Sequence, residues 1–218
     1  MLEELGLPYR VKLIDIMNQG QFAPEFLEIS PNNRVPAIVD HDTPHGSQPV
    51  FESGTILVYL AEKTGRYLAP SGPARVAALE WLFWQVGGLG PMAGQTHHFV
   101  RYAPPGNEYA AERYTKESAR LYGVLDRRLQ QVEWLAGADY SIADMATWGW
   151  VWFHRMHGQS FDDFPNVARW FFAMSERPAV SSARKIGLDL TAEETKPLHS
   201  RPFWDVPPTY ANDKTEVR

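Results

Sequence analysis

The rhythm of apolar and polar positions changes once along the chain. From Met1 to about Leu68 the periodic stretches are short and alternate in type. Leu2 to Leu5 reads as the end of a helix, with Gly6 in the capping position that favours a left-handed residue. Tyr9 to Asp15 alternates polar and apolar residues, the pattern of a half-buried strand. Pro24-Glu25-Phe26-Leu27 opens a short helix, with proline in the first turn, where its missing N–H costs nothing. Val35 to Val39 is a buried-strand run, and Pro49-Val50-Phe51 reads as a brief strand after a turn rich in Gly, Pro and Ser. Glu52 to Lys63 is then helical, with Ile56, Leu57, Tyr59 and Leu60 on one side and Gly65 beyond its end. Mixing of this kind indicates a small α/β sheet unit.

Ala69-Pro70-Ser71-Gly72-Pro73 has the composition of a linker. Beyond it the 3.6-residue period persists to about Leu188. The segments are Ala74–Gly87 continuing to Val100, Asn107–Gln131, Ser141–Met156, Asn166–Glu176 and Ala179–Leu188. The expected class is therefore α/β plus all-α: an α/β unit over 1–70, a helical bundle over 71–190, and a polar, Pro-containing tail over 191–218. Gly87-Gly88 and Gly90 interrupt the first long helix and are expected to permit a bend or a close helix contact.

Composition removes several chemistries. The 218 residues include no cysteine, which excludes disulfides, thiolate metal sites and a protein thiol nucleophile. Any sulfur in the reaction must arrive on a ligand. A net charge of −5 and the lack of a basic stripe argue against nucleic acid as partner. No apolar run reaches the roughly 20 residues of a membrane-spanning helix, and the cytoplasm is the default compartment. His97-His98 are adjacent, so they leave a helix on different faces, and no third ligand stands at metal-site spacing. No metal is expected.

Two short motifs carry the functional reading. A proline inside an apolar strand run fits either an edge strand or a cis bond that turns the backbone groups of Val35 outward, free to pair with a peptide-like ligand. Glu52-Ser53 opens a helix. Ser53 is either its cap or part of an anion site with the free N–H groups there, and Glu52 can hold an ammonium beside it. A carboxylate acceptor next to an ammonium acceptor is what the α-amino acid end of a ligand requires. Farther on, Ser141-Ile142-Ala143-Asp144 reads as a capping box, a folding feature.

The run Ile29 to Asp40, with Phe51-Glu52-Ser53-Gly54 and Leu57 to Ala61, resembles the glutathione-binding half of a glutathione transferase. Gly20-Gln21-Phe22, Pro24 to Leu27, Trp81 to Met92 and Gly94-Gln95 with His97-His98-Phe99 are similar to the bacterial nu class, associated with glutathione-dependent disulfide reduction. The resemblance implies a thioredoxin-like first domain and an all-helical second one. It also implies glutathione or glutathione disulfide as ligand and cosubstrate, and a homodimer. By it, Val35 pairs with the cysteinyl unit of glutathione and Glu52 and Ser53 hold the γ-glutamyl end. Gln21 contacts the ligand, and Arg113 reaches it across the dimer interface. Read as bare residues, Gln21 is equally a loop amide, and Arg113, near Glu112 and Glu117, an ordinary solvated charge. Arg34 can reach the glycyl carboxylate or stay in solvent.

In the nu class the Thr and Asn that stabilise the glutathione thiolate lie after the first strand. That strand and loop would precede Met1, so no catalytic residue is named, and a start about 20 residues upstream is expected from typical element lengths. The main reading is a glutathione transferase or glutathione-dependent disulfide reductase. The alternative is a non-catalytic glutathione- or partner-binding module on the same fold.

Overall fold

A computed structural model describes residues 1–194 of the chain. Its elements run α1 (Leu2–Leu5), α2 (Pro24–Leu27), β1 (Ala37–Asp40), β2 (Gln48–Phe51), α3 (Ser53–Thr64), α4 (Gly72–Trp84), α5 (Gly90–Arg101), α6 (Glu108–Gln131), α7 (Ile142–Val151), α8 (Pro165–Ser175) and α9 (Pro178–Glu194). This is the expected succession of a small thioredoxin-like unit and a helical unit.

Among the described residues the sheet has two antiparallel strands, with Ala37 paired to Phe51 and Asp40 to Gln48. The strand expected over Tyr9 to Asp15 is absent. A strand exists by its ladder, and no described residue offers this segment one. Tyr9 and Val11 instead face solvent. The Tyr9 hydroxyl donates to Glu3 Oε1 at 2.6 Å, and Asp15 caps a 3₁₀ turn by accepting from the N–H groups of Met17 and Asn18. Strand β1 also begins two residues later than the apolar run, after Pro36, which has no N–H for a ladder.

Helix α1 ends at Gly6 and α3 at Gly65, both at φ 67, the left-handed cap that glycine adopts without strain. Helix α4 opens inside the expected linker, at Gly72, with Pro73 in its first turn. The long helix expected from Ala74 to Val100 is broken by a π turn over Gln85–Leu89, and α5 resumes at Gly90. Gly90 is required there by proximity. A β-carbon on it would lie 2.7 Å from Gln85 Nε2 and 3.0 Å from Trp150 Nε1. Helix α7 ends at Val151, short of the expected Met156, and the chain tightens into a 3₁₀ turn over His154–His157. Helix α9 reaches Glu194, past Leu188, so Thr191 to Glu194 are helical and not tail; the rest of the predicted tail lies outside the described residues.

The main core lies in the helical unit, where Tyr122, Leu125, Val151, Val167 and Trp170 have no exposed surface. Asp144 organises it. Its carboxylate closes the capping box with Ser141 and accepts from the Leu135 N–H at 2.9 Å and the Trp170 indole N–H at 2.8 Å. The first turn of α8 is capped from another helix, since Asp126 of α6 accepts from the N–H groups of Asn166 and Val167. An apolar cluster of Leu57, Ala61 and Leu68 with Ala78, Leu82 and Ile142 joins the units, and polar contacts add to it. Arg177 forms a two-bonded pair with Glu4 at 2.6 and 2.9 Å, and the Ile142 N–H donates to the Tyr67 carbonyl at 3.1 Å.

Candidate functional site

The antiparallel register decides which residues meet. With Ala37 opposite Phe51, the residues just before β1 lie beside those just after β2. Val35-Pro36 and Glu52-Ser53, separated by a loop and a strand in sequence, therefore share one end of the sheet. The Val35–Pro36 bond is cis, and Val35 is 49% exposed. The preceding loop is fixed from within. Buried Ser30 donates its hydroxyl to the Arg34 carbonyl at 2.8 Å, Asn33 donates its N–H to the Ser30 carbonyl at 2.8 Å, and Asn33 sits at φ 48. The Arg34 side chain is exposed.

On the facing side, Glu52 is the N-cap of α3 at φ 67 and ψ 118, and its side chain makes no capping bond. A positive φ in a non-glycine residue is costly and concentrates at functional positions. Ser53 is the first helical residue, one position inside, so of its two readings the cap does not hold. Among the described residues its exposed hydroxyl has no hydrogen-bond partner. The first-turn N–H groups point out of the helix, so an exposed hydroxyl stands beside donors that favour an anion. Glu52, also exposed, keeps its carboxylate alongside, with the Asn32 amide 3.5 Å from Oε1.

The helical unit braces this corner. A β-carbon on Gly54 would lie 3.2 Å from Val86 Cγ2, so the start of α3 rests against the end of α4 and the π turn. At the other end of the sheet, Asp40 Oδ2 accepts from Lys63 Nζ at 2.6 Å and from the Tyr59 hydroxyl at 2.7 Å. Lys63, and then Tyr59, hold the Asp40 carboxyl down at about 2. That network locks α3 against β1.

Of the five residues expected to bind, Val35, Glu52 and Ser53 are brought together. Gln21 lies on a separate 3₁₀ turn, Gly20–Phe22, with its amide oxygen buried and no partner among the described residues. Arg113 is on α6, exposed, in a cleft of about 710 Å³ with Met92, Tyr109 and Tyr114. It makes no ion pair within the described chain, unlike Lys116 with Glu112 and Arg120 with Glu117. Thr96 is core: its hydroxyl meets Ser118 Oγ at 2.7 Å and the Tyr114 carbonyl at 2.9 Å. His97 is half-buried and stacks on Tyr102, while His98 faces solvent. No group of three or more metal-ligating side chains occurs among the described residues.

Sequence reasoning missed Asn32 and a cleft of about 530 Å³ on the outer side of β2, which Glu52 shares with Thr55, Tyr59 and His45. Its signal was the turn from Thr43 to Ser47, where several polar side chains gather.

Comparison with known proteins gives consistent matches over both units. The N-terminal domain family of glutathione S-transferases matches residues 1–63, and the C-terminal domain family matches residues 91–178. The chain is 52% identical over 184 residues to the disulfide-bond oxidoreductase YfcG of Escherichia coli, covering 84% of this chain and 86% of that protein. A glutathione transferase from Pseudomonas putida, solved with one glutathione disulfide per subunit, superposes with a TM-score of 0.78 at 42% identity, over 83% of this chain and 82% of that one. A family member from Pseudomonas fluorescens, solved with two glutathione molecules bound, gives a TM-score of 0.78 at 42% identity, over 83% of each chain.

Proposed function

Because the chain belongs to the glutathione S-transferase family, we propose that it is a glutathione-dependent disulfide-bond oxidoreductase of the nu-class type, acting as a homodimer in the cytoplasm. The observation that carries this reading is the convergence of Val35, Glu52 and Ser53 at one end of the sheet. The backbone of Val35, an exposed residue ahead of the β1 ladder, pairs with the cysteinyl unit of glutathione as an added strand would. The Ser53 hydroxyl and the first-turn N–H groups of α3 take the γ-glutamyl carboxylate, and Glu52 takes the ammonium. Gln21, whose buried amide oxygen lacks a partner, supplies a further contact. Residues 1–70 form the glutathione-binding domain and 71–190 the helical one.

The chain holds no cysteine, so both exchanging sulfurs belong to ligands. A glutathione thiolate attacks one sulfur of a substrate disulfide and expels the other as a thiolate, which takes a proton. A second glutathione thiolate then attacks the mixed disulfide, giving glutathione disulfide and a second free thiol. Compartments whose thiols are kept reduced by glutathione are where such a reaction runs in this direction.

Support for the homodimer comes from two exposed features. Val76 and Phe83, one heptad apart on α4, are 56% and 68% exposed, an apolar pair on one helix face that a second subunit would cover. Arg113 is an exposed cation near Glu117 that forms no close ion pair in its own described chain, suited to a glutathione carboxylate in the neighbouring subunit.

The test is to titrate the protein calorimetrically with glutathione and with glutathione disulfide, and to follow reduction of a small model disulfide at increasing glutathione. Saturable binding with a rate that saturates in glutathione is expected. Binding without turnover would favour a non-catalytic binding module, and no binding would reject the site.

A further inference from the structure

Away from the sheet, the seam between α5 and the His154–His157 turn holds an arrangement the proposed chemistry does not use. His157 is completely buried, and neither ring nitrogen has a hydrogen-bond partner among the described residues. Its ring meets His97 of α5 edge-on, with centroids 5.8 Å apart, and lies 6.4 Å from the Trp150 ring of α7. One turn earlier His154 is 3% exposed, stacked on Phe161 at 3.8 Å, with Nδ1 3.1 Å from the Val151 carbonyl. Three imidazoles thus meet at one buried seam.

We propose that this seam is a proton-operated latch: protonation of His157 releases the His154–His157 turn from α5 and loosens this end of the helical domain. The reason is that, among the described residues, no anion stands against the His157 ring to receive the charge. On its own turn the ionisable neighbours are His154 and Arg155, one imidazole and one cation. From α5 it faces His97, with Tyr102 and Arg101 behind, and Arg101 also disfavours charge on His97. Helix α7 offers Trp150, with Phe153 just beyond its end against His97, and neither titrates. Helix α6 offers the Thr115 carbonyl, already engaged by Gln159 at 3.3 Å. Its carboxylates Glu112 and Glu117 are bound to Lys116 and Arg120 on the outer face. The turn after it carries Asp162 and Asp163, both exposed, and Asp162 faces the Ser160 hydroxyl at 3.1 Å. A charge on His157 is therefore buried and, among the described residues, faces no carboxylate, an unfavourable setting for an imidazolium.

The sign follows from burial. Burial first, then His97 and His154, push His157 down to about 3; burial likewise pushes His154 down to about 4. The folded chain therefore holds both rings neutral, while the unfolded chain charges them near 6.5. Stability is full above about pH 6.5 and drains as the pH falls. His157 contributes up to tenfold in the folding equilibrium constant per pH unit, so between pH 7.5 and 5 it accounts for about a 30-fold loss.

The experiment uses the full chain. Urea unfolding at pH 7.5, 6.5, 5.5 and 5.0 is compared between the parent and His157→Phe, and the readout is the slope with pH, so a change in stability at pH 7.5 does not confuse it. The parent should lose the extra 30-fold and the variant should not. Hydrogen exchange at pH 5.0 should show the amides of 153–159 opening before those of α8. Should the variant fail to fold, the His157 ring resonances of the parent decide: they should stay at the neutral position down to pH 5. Equal slopes in parent and variant, a His157 ring titrating near 6.5 in the folded protein, or amides of 153–159 opening only with the whole domain would each overturn the latch.

Discussion

The two units bury their apolar residues to different degrees. In the helical unit Leu125, Ile142, Val151, Val167 and Trp170 are fully enclosed, while Phe26, Val50, Ile56 and Leu57 of the first unit each keep 7–9% of their surface. The sheet of that unit, among the described residues, has two strands of four residues each, less than a free-standing sheet needs. Yet Val35, Glu52 and Ser53 all sit on this thinner unit, exposed at its rim. The division teaches where stability and binding are each held. The helical unit supplies a rigid wall of Leu82 and Val86 behind Gly54, and the thinner unit is free to turn its backbone and hydroxyl groups outward.

The largest expected effect breaks the wall. Asp144→Ala leaves the Leu135 and Ser141 N–H groups and the Trp170 indole N–H buried without an acceptor. Urea unfolding should show a loss of about 3 kcal/mol or more. Next comes the seam. Arg177→Met removes the cation from the Glu4 carboxylate, 9% exposed, leaving it the Tyr67 hydroxyl at 3.4 Å, and should cost about 1–3 kcal/mol. Hydrogen exchange should then show the first unit opening before the helical one, whereas uniform opening would mean that the shared apolar cluster holds the two together without this pair.

Arg113→Ala should leave the monomer fold intact, since the side chain makes no ion pair in its own described chain. Glutathione affinity measured by calorimetry should fall about tenfold, the loss of one hydrogen bond to a charged group. Light scattering should still report a dimer. A native monomer binding glutathione as the parent does would sink the cross-subunit contact. The smallest effect belongs to Asp40→Asn. The folded carboxyl is held at about 2 by Lys63 and Tyr59, below the unfolded value of about 3.9. Its contribution is thus full above pH 4 and lost as the pH falls toward 2. The variant should flatten that part of the acid profile and leave pH 7 binding unchanged.

Local rules made much of this legible in advance. The capping box at Ser141 and Asp144, the glycine caps at Gly6 and Gly65, and the break near Gly87-Gly88 are all consequences of a few neighbouring residues. What the chain hid was anything set by a partner far away. Tyr9 to Asp15 has the alternation of a strand, but alternation cannot supply a ladder. Ser53 looked like a cap because serine favours that position, while the backbone turn out of β2 placed Glu52 there at φ 67 instead. The contact of Asn32 with Glu52 depends on a fold of the loop that no periodicity encodes.

Ser53 is the residue at which ligand binding is most directly tested. Its hydroxyl bonds to nothing among the described residues, so removing it leaves no internal gap in bonding to confuse the result. Calorimetric titration of Ser53→Ala against the parent, with thermal unfolding as control, isolates its part in binding. If Ser53 receives the γ-glutamyl carboxylate, glutathione affinity should drop at least about tenfold, by 1.5–3 kcal/mol, with the melting temperature nearly unchanged. Unchanged affinity would contradict the account, because the start of α3 would then not be where the ligand is held.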